Sequence, residues 1–579
     1  MRRSSAIPCV LLVGLWLTGG WRVPSTDQDP VESAGPNPQR DAVAASQPER
    51  HPGLRVLYEV PMQSFSLTRG EFSELWRQWP DGARRERAIA ATAKELPGLV
   101  RDYYGLHIDP LRGDVPTAFA ADPQRDGDPG QIWTLNCLAC HGGALMGEFL
   151  PGLGNNTLML EDLVSDVARS KGARRTQLEE GMLLAEMGNT IGVTEAVLFS
   201  ELLLALRGPD LELGNMRELM EAGLRGVRRL QEHPEGLLPL DAPPWWVLSE
   251  KSHLYFDHSV AKNHRTPMQF LLGFEGIRFG EEAERLLREG SGDELRERLG
   301  RTLAEWALAE RGAFLEGVAA DEPAPGYLRA ALDVFQTLGP LEALKVMPAL
   351  EVRGISRAQL LDWDVELRAV YDFALGLEAP EFPGEIDVEL AARGQALFEA
   401  HCADCHGSYA EGRREYRVRR IPLDEIGTDP QYPQALDQAS RDRWKGFLNE
   451  SEGGAPGHEL LPDEVADRGY VPPALNGVWA SAPYLHNGSV PTLAELLDHA
   501  GRAERIERGA YVWSFRPGDY DLESVGLRAN FLEGPELGDR DDRRIHDSER
   551  FGMGAAGHPF GDELGDAGRR AVLEYLKTL

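Results

Sequence analysis

The sequence predicts a mainly α chain in two packed units, with helical insertions and irregular loops, and three observations carry that expectation. Apolar residues recur at three and four through much of 53–378, the spacing of one helix face. A short break containing Pro and Gly follows at 378–385. One Cys-x-x-Cys-His motif stands on each side of the break, Cys137-Leu138-Ala139-Cys140-His141 and Cys402-Ala403-Asp404-Cys405-His406.

Residues 1–24 read as an export signal: Arg2 and Arg3 lead an apolar run from Ala6 to Leu17, and the small Thr18, Gly19 and Gly20 follow. The run is short for a membrane span, although an uncleaved anchor stays open. Cys9 lies at the front of the run, the wrong end for a lipoprotein cleavage site. Residues 25–52 are rich in Pro, Ser, Asp, Gln and Ala without apolar periodicity, which predicts a flexible tether. The mature chain is therefore expected in the periplasm or outside the cell, with no membrane span.

Residues 53–378 form the first unit. Met182–Leu206 and Leu211–Leu230 carry apolar residues at helical spacing, and Glu281–Arg311 alternates Leu and Ala with Glu and Arg. Ala120–Gly130 and Leu237–Pro244 are irregular and rich in Gly and Pro. Residues 379–579 form the second unit. A helix starts near Asp387 and runs to the second motif, and Ala567–Leu579 closes the chain as another. Gly394 and Phe398 share a face of the first of these helices, where glycine lets a second helix axis come close.

Length and charge bound the function. At 579 residues the chain exceeds one small core, and 42% hydrophobic residues suffice for sizeable ones. A net charge of -32 argues against nucleic acid or an anionic membrane as a partner. It suits a basic or neutral partner, or plain solubility.

Five cysteines are present, and four remain if Cys9 leaves with the signal. Their spacing argues against two disulfides. Covalent haem c needs two thiols for the vinyl groups and an imidazole beneath the iron. Cys-x-x-Cys-His places all three on about one helical turn. A redox dithiol needs no His at the fifth place, and zinc would leave both histidines unexplained. The motifs therefore predict two haem c groups with iron, on Cys137, Cys140 and His141 and on Cys402, Cys405 and His406.

Two such motifs in a chain of this length resemble the bacterial di-haem cytochrome c peroxidase superfamily. Ala482-Pro-Tyr-Leu-His-Asn-Gly-Ser-Val-Pro-Thr-Leu493 is similar to one of its signatures. Tyr104-Gly-Leu-His107, Pro151-Gly-Leu-Gly-Asn155, Pro243-Pro-Trp-Trp246, His264-Arg265 with Met268-Gln-Phe270, and Gly557-His558-Pro-Phe-Gly561 look closer to its rubber oxygenase-like branch. The resemblance covers about residues 100–579. It implies two cytochrome c-like haem domains packed together. One haem would relay electrons. The other would keep an open position and meet peroxide or dioxygen, with a reductant or electron-transfer protein as partner. In rubber oxygenases a distal phenylalanine shapes the oxygen pocket. Phe256 is the residue offered for it, and His258 could instead reach the iron.

Among 14 histidines, His51, His107, His233, His253, His401 and His499 read as surface or structural. Candidates for the second haem's sixth ligand are, in order, His558, His546, His486 and His458, with Met553 behind them. His558 leads because small cytochromes take this ligand from a loop just before the last helix. Around the first haem, His258 or His264 could take a proton from peroxide, and Arg265 could polarise the O–O bond. Each also reads as a turn cap or an ordinary salt bridge. Trp245, Trp246 and Trp133 could relay electrons or simply fill a core. Asp122, Asp126 and Asp128 do not match EF-hand spacing and read as a plain turn. Three function classes follow: a peroxidase or oxygenase, a pure electron carrier, and a haem-bearing binding module. The 260 residues between His141 and Cys402 favour an enzyme.

Overall fold

Pro52 opens the described chain as the first residue of a helix, α1 (Pro52–Glu59), and His51 caps it by accepting from Gly53 N. The computed structural model describes residues 51–171 apart from 63–65 and 126, 241–254 apart from 252, and 260–262 with 264. It further describes short pieces between 277 and 298, then 350–352, 357–409, 416, 419–433 apart from 432, and 469–579 apart from 533–543 and 551. The export signal, nearly all of the tether, and the helices read at Met182–Leu206 and Leu211–Leu230 lie outside these residues. The proposed helix at Glu281–Arg311 is described only in part, including a helix at Gly292–Arg298.

The chain is partly helical, and its described strands form sheets of two or three members. The first unit is built on an antiparallel sheet in the order β1 (Ser66–Thr68), β3 (Ile132–Leu135), β2 (Phe119–Ala121). In β3 Ile132 is exposed at the strand's start, while Trp133 and Thr134 are both buried. Trp133 pairs with Leu67 on one side and Ala121 on the other. It belongs to a core with Phe72, Trp79, Tyr104, Phe119, Leu158 and Leu163. The first motif follows β3 directly as one helical turn, α2 (Leu138–His141), and a hairpin of β4 (Gly142–Leu145) and β5 (Glu148–Pro151) comes next. The stretch before this motif is a strand and not a helix. Helix α3 (Leu160–Ser170) closes the core.

Helix α4 (Arg357–Leu375) returns from later in the chain to lie along α1. A Cβ on Gly53 would sit 2.1 Å from the Ala369 carbonyl, so glycine permits the approach. The break at 378–385 is pinned to the second core: Trp479 Nε1 donates to the Pro380 carbonyl over 2.8 Å, and Phe382 meets the Trp479 ring edge-on.

In the second unit, α5 (Val388–His401) starts at Asp387, whose carboxylate accepts from Leu390 N. It runs to α6 (Ala403–His406), the second motif. Further on lie α7 (His499–Glu507), strands β6 (Val512–Ser514) and β7 (Ile545–Asp547), and the last helix, α8 (Gly565–Leu576). Helices α5 and α8 cross where the sequence places Gly394: a Cβ there would lie 1.9 Å from the Ala571 carbonyl. Phe398 packs on Tyr575 with 5.3 Å between rings. Glu574 of α8 fastens the crossing by accepting from Asp387 N over 2.7 Å. The surrounding core joins Phe398, Trp479, Tyr484, Trp513 and Val572 to Leu153, Trp246 and Val247 from before the break.

Candidate haem sites

The first motif is held by asparagines. Asn136 caps α2, its Oδ1 accepting from Leu138 N over 2.8 Å, while its amide donates to the Leu57 and Thr117 carbonyls. Asn155 N donates to the Cys140 carbonyl, and the Asn155 side chain donates to the Ala139 and Gly105 carbonyls. His107 lies against Asn155 Oδ1 at 3.2 Å, and burial pulls its imidazole down to about 4. Stretches far apart in sequence thus converge on one helical turn: Tyr104–His107, Pro151–Asn155 and Pro243–Trp246. From the last of these, Trp245 N donates to the Gly152 carbonyl, and the Trp245 ring lies 5.1 Å from that of His141.

His141 is pulled down to about 4, by burial first and by the Lys251 cation second. The Pro243 carbonyl favours protonation but closes no ordinary hydrogen bond, and Nδ1 is left buried without a partner. Pro243 and Trp245 lie against the His141 ring. His264 bonds to Asp364 of α4, with 2.9 Å between Nε2 and Oδ1. Phe256, His258, Arg265 and Met268–Phe270 lie outside the described residues. Trp246 points into the second unit, where its Nε1 donates to the Asn476 carbonyl over 2.9 Å.

At the second motif, His406 Nδ1 donates to the Pro473 carbonyl over 2.9 Å. This fixes the tautomer and leaves Nε2 as the free lone pair, the arrangement a metal-bound imidazole needs. The His558 ring faces it, with 6.3 Å between centroids. An imidazole nitrogen binds a metal at about 2 Å, and the ring centroid lies about 1 Å behind it, so two imidazoles across one metal stand roughly 6 Å apart. The pair fits a single iron between them. His558 has a left-handed backbone, φ +59°, and its amide donates to the Ile426 carbonyl. Burial drives its imidazole down to about 3, with the neighbouring His406 adding to the effect, and its Nδ1 has no partner.

Two of the other candidates pack against aromatic rings. His546 donates from Nε2 to the Met553 carbonyl and stacks on Trp513 at 5.3 Å. His486 stacks on Tyr470 at 4.2 Å, and its carbonyl accepts from Asp241 N. His458 lies outside the described residues. Sequence reasoning missed the groups that hold the His558 loop. Asn487 donates to the Gly552 and Gly554 carbonyls, Asp429 accepts from Gly554 N, and Arg502 grips the Ala555 and Gly557 carbonyls. Asn487 belongs to the 482–493 signature, so its place there was the available signal.

No disulfide joins the four motif cysteines. No group of three or more His, Cys, Asp or Glu among the described residues gathers as a metal site, so the two pairs do not meet around zinc there. Asp122 and Asp128 shape a turn, with Asp122 accepting from Gln124 N and Asp128 paired to Arg125.

Residues 391–467 match the family described as cytochrome c, and 469–507 match the one described as RoxA-like, cytochrome c-like. The chain contains a cytochrome c domain, and haem c with its iron is its cofactor. Both matches lie after the break at 378–385. Two Sinorhizobium fredii proteins are also similar. Uncharacterized protein y4iM is 31% identical over 252 residues, covering 37% of this chain and 54% of that one. Uncharacterized protein y4iJ is 29% identical over 264 residues, covering 35% of this chain and 42% of that one. The chain thus spans about half the length of the curated relatives it matches. No helix among the described residues is long and apolar enough to cross a membrane.

Proposed function

We propose that the chain is an exported di-haem c-type cytochrome of the peroxidase superfamily, nearest its rubber oxygenase-like branch. It reacts with peroxide or dioxygen at a first haem and relays electrons through a second. The observation that carries this reading is the unlike surroundings of the two motif histidines. His406 faces a second imidazole at the spacing one iron needs. The His141 imidazole has the Trp245 ring for its neighbour instead.

Haem iron with an open position binds small oxidants directly, and with two imidazoles it only exchanges electrons. The protein's own groups divide accordingly. Cys137 and Cys140 hold the first haem, and His141 would be its proximal ligand. Cys402 and Cys405 hold the second, with His406 and His558 as its two ligands. Trp245 and Trp246 are adjacent in the chain, one ring on His141 and the other bonded at Asn476, three residues from Pro473. In this reading the two rings would carry electrons between the two sites. Residues 1–24 as a removed signal and 25–52 as a tether accord with export, since haem c proteins are typically exported.

Carbon monoxide binding to the dithionite-reduced protein tests the division. One haem is expected to bind it, and substitution of His141 abolishes that signal while the second haem's spectrum stays intact. If neither reduced haem binds carbon monoxide and the protein turns over neither peroxide nor oxygen, the electron-carrier reading replaces this one.

A further inference from the structure

The loop that carries His558 is rich in glycine, with Gly552, Gly554 and Gly557, and such a loop has little preference of its own for one shape. His558 also adopts a left-handed backbone, which is strained for a non-glycine residue. Something outside the loop must hold it. The Gly552 end is held by Asn487 and Asp429. The end beside His558 is held by Arg502, which reaches up from α7.

Arg502 is fully buried. Its Nε donates to the Ala555 carbonyl over 2.8 Å, and one terminal nitrogen donates to the Gly557 carbonyl. The other donates to the Glu495 and Leu496 carbonyls. Among the described residues no carboxylate pairs with it. A buried guanidinium held by backbone carbonyls alone is a costly way to fill a core, since an aliphatic side chain would pack there without losing hydration. What the arginine adds is direction. Its planar fork fixes several carbonyls at once, and those of Ala555 and Gly557 would otherwise be buried acceptors in a segment outside helix and strand.

We propose that Arg502 is a positioning residue for His558, latching the 555–557 carbonyls so that the imidazole stays opposite His406. The inference rests on the reading of His558 as the second haem's sixth ligand. Without the latch the glycine loop relaxes, His558 leaves the iron for part of the time, and the second haem gains an open position.

The test is the electron paramagnetic resonance and optical spectrum of the purified oxidised holoprotein carrying Arg502→Met, which keeps the stem but removes the fork. Part of the second haem's low-spin signal is expected to become high-spin, and added imidazole should restore it. Arg502→Lys, which keeps a buried cation but loses the fork, should give an intermediate loss and serves if the Met variant does not accumulate. A wild-type low-spin spectrum in whichever variant folds overturns the proposal. So does a high-spin signal that imidazole cannot reverse, because that marks general unfolding. His558→Ala is the control: if it leaves the low-spin signal whole, the ligand reading itself fails and this inference goes with it.

Discussion

His546 is 5% exposed, with Nε2–H donating to the Met553 carbonyl and its ring stacked on Trp513. Burial leads the causes that pull it from an ordinary 6.5 to about 4. The unfolded chain therefore binds a proton on this histidine at a higher pH than the folded one does. The stability it gives is fully present above about 6.5 and is lost as pH falls towards about 4, by up to about 3 kcal/mol. Denaturant unfolding of the holoprotein at pH 7, 5.5 and 4 should show falling stability, and His546→Gln should flatten part of that slope. An equal slope in the variant would count against the assignment. Residue by residue, the two Cys-x-x-Cys-His motifs were legible because their chemistry is local. The choice of His558 rested on its loop position before the last helix. Asn136, Asn155 and Arg502 were not, because each works through backbone carbonyls, which leave no trace in residue type.

The crossing of α5 on α8 turns on one missing side chain. Gly394→Ala would put a methyl 1.9 Å from the Ala571 carbonyl, and backbone cannot yield as a side chain end can. We expect the thermal midpoint of the second unit to fall, by an overpacking cost of about 1–3 kcal/mol, measured by circular dichroism of the holoprotein. An unchanged midpoint would mean that the helices part freely. At the first motif, Asn136→Ala removes the cap on α2 and leaves the Leu57 and Thr117 carbonyls short of a donor. Its expected result is reduced haem loading at the first site, read as pyridine haemochrome per chain. The α5–α8 crossing was readable from Gly394 and Phe398, and the Asp387 start from its capping chemistry. The last helix begins at Gly565, two residues before the sequence reading. The strand before the first motif was missed. It is only four residues long, and with Trp133 and Thr134 both buried it carries no alternation to read.

At the scale of the molecule, the break at 378–385 separates sequence more cleanly than it separates core. Trp246 and Val247 precede it yet pack with Phe398 and Trp479. Sequence patterns report periodicity within a segment, and such shared packing has none. Covalent attachment is checked by Cys137→Ala with Cys140→Ala, which should remove about half of the pyridine haemochrome signal if each motif holds one haem. An unchanged signal would overturn the first site. The central claim, that His406 and His558 share one iron, is tested most directly by electron paramagnetic resonance of the oxidised protein with and without His558→Ala. The account predicts a low-spin signal that becomes high-spin in the variant and returns with imidazole. A low-spin signal that survives the loss of His558 would contradict it.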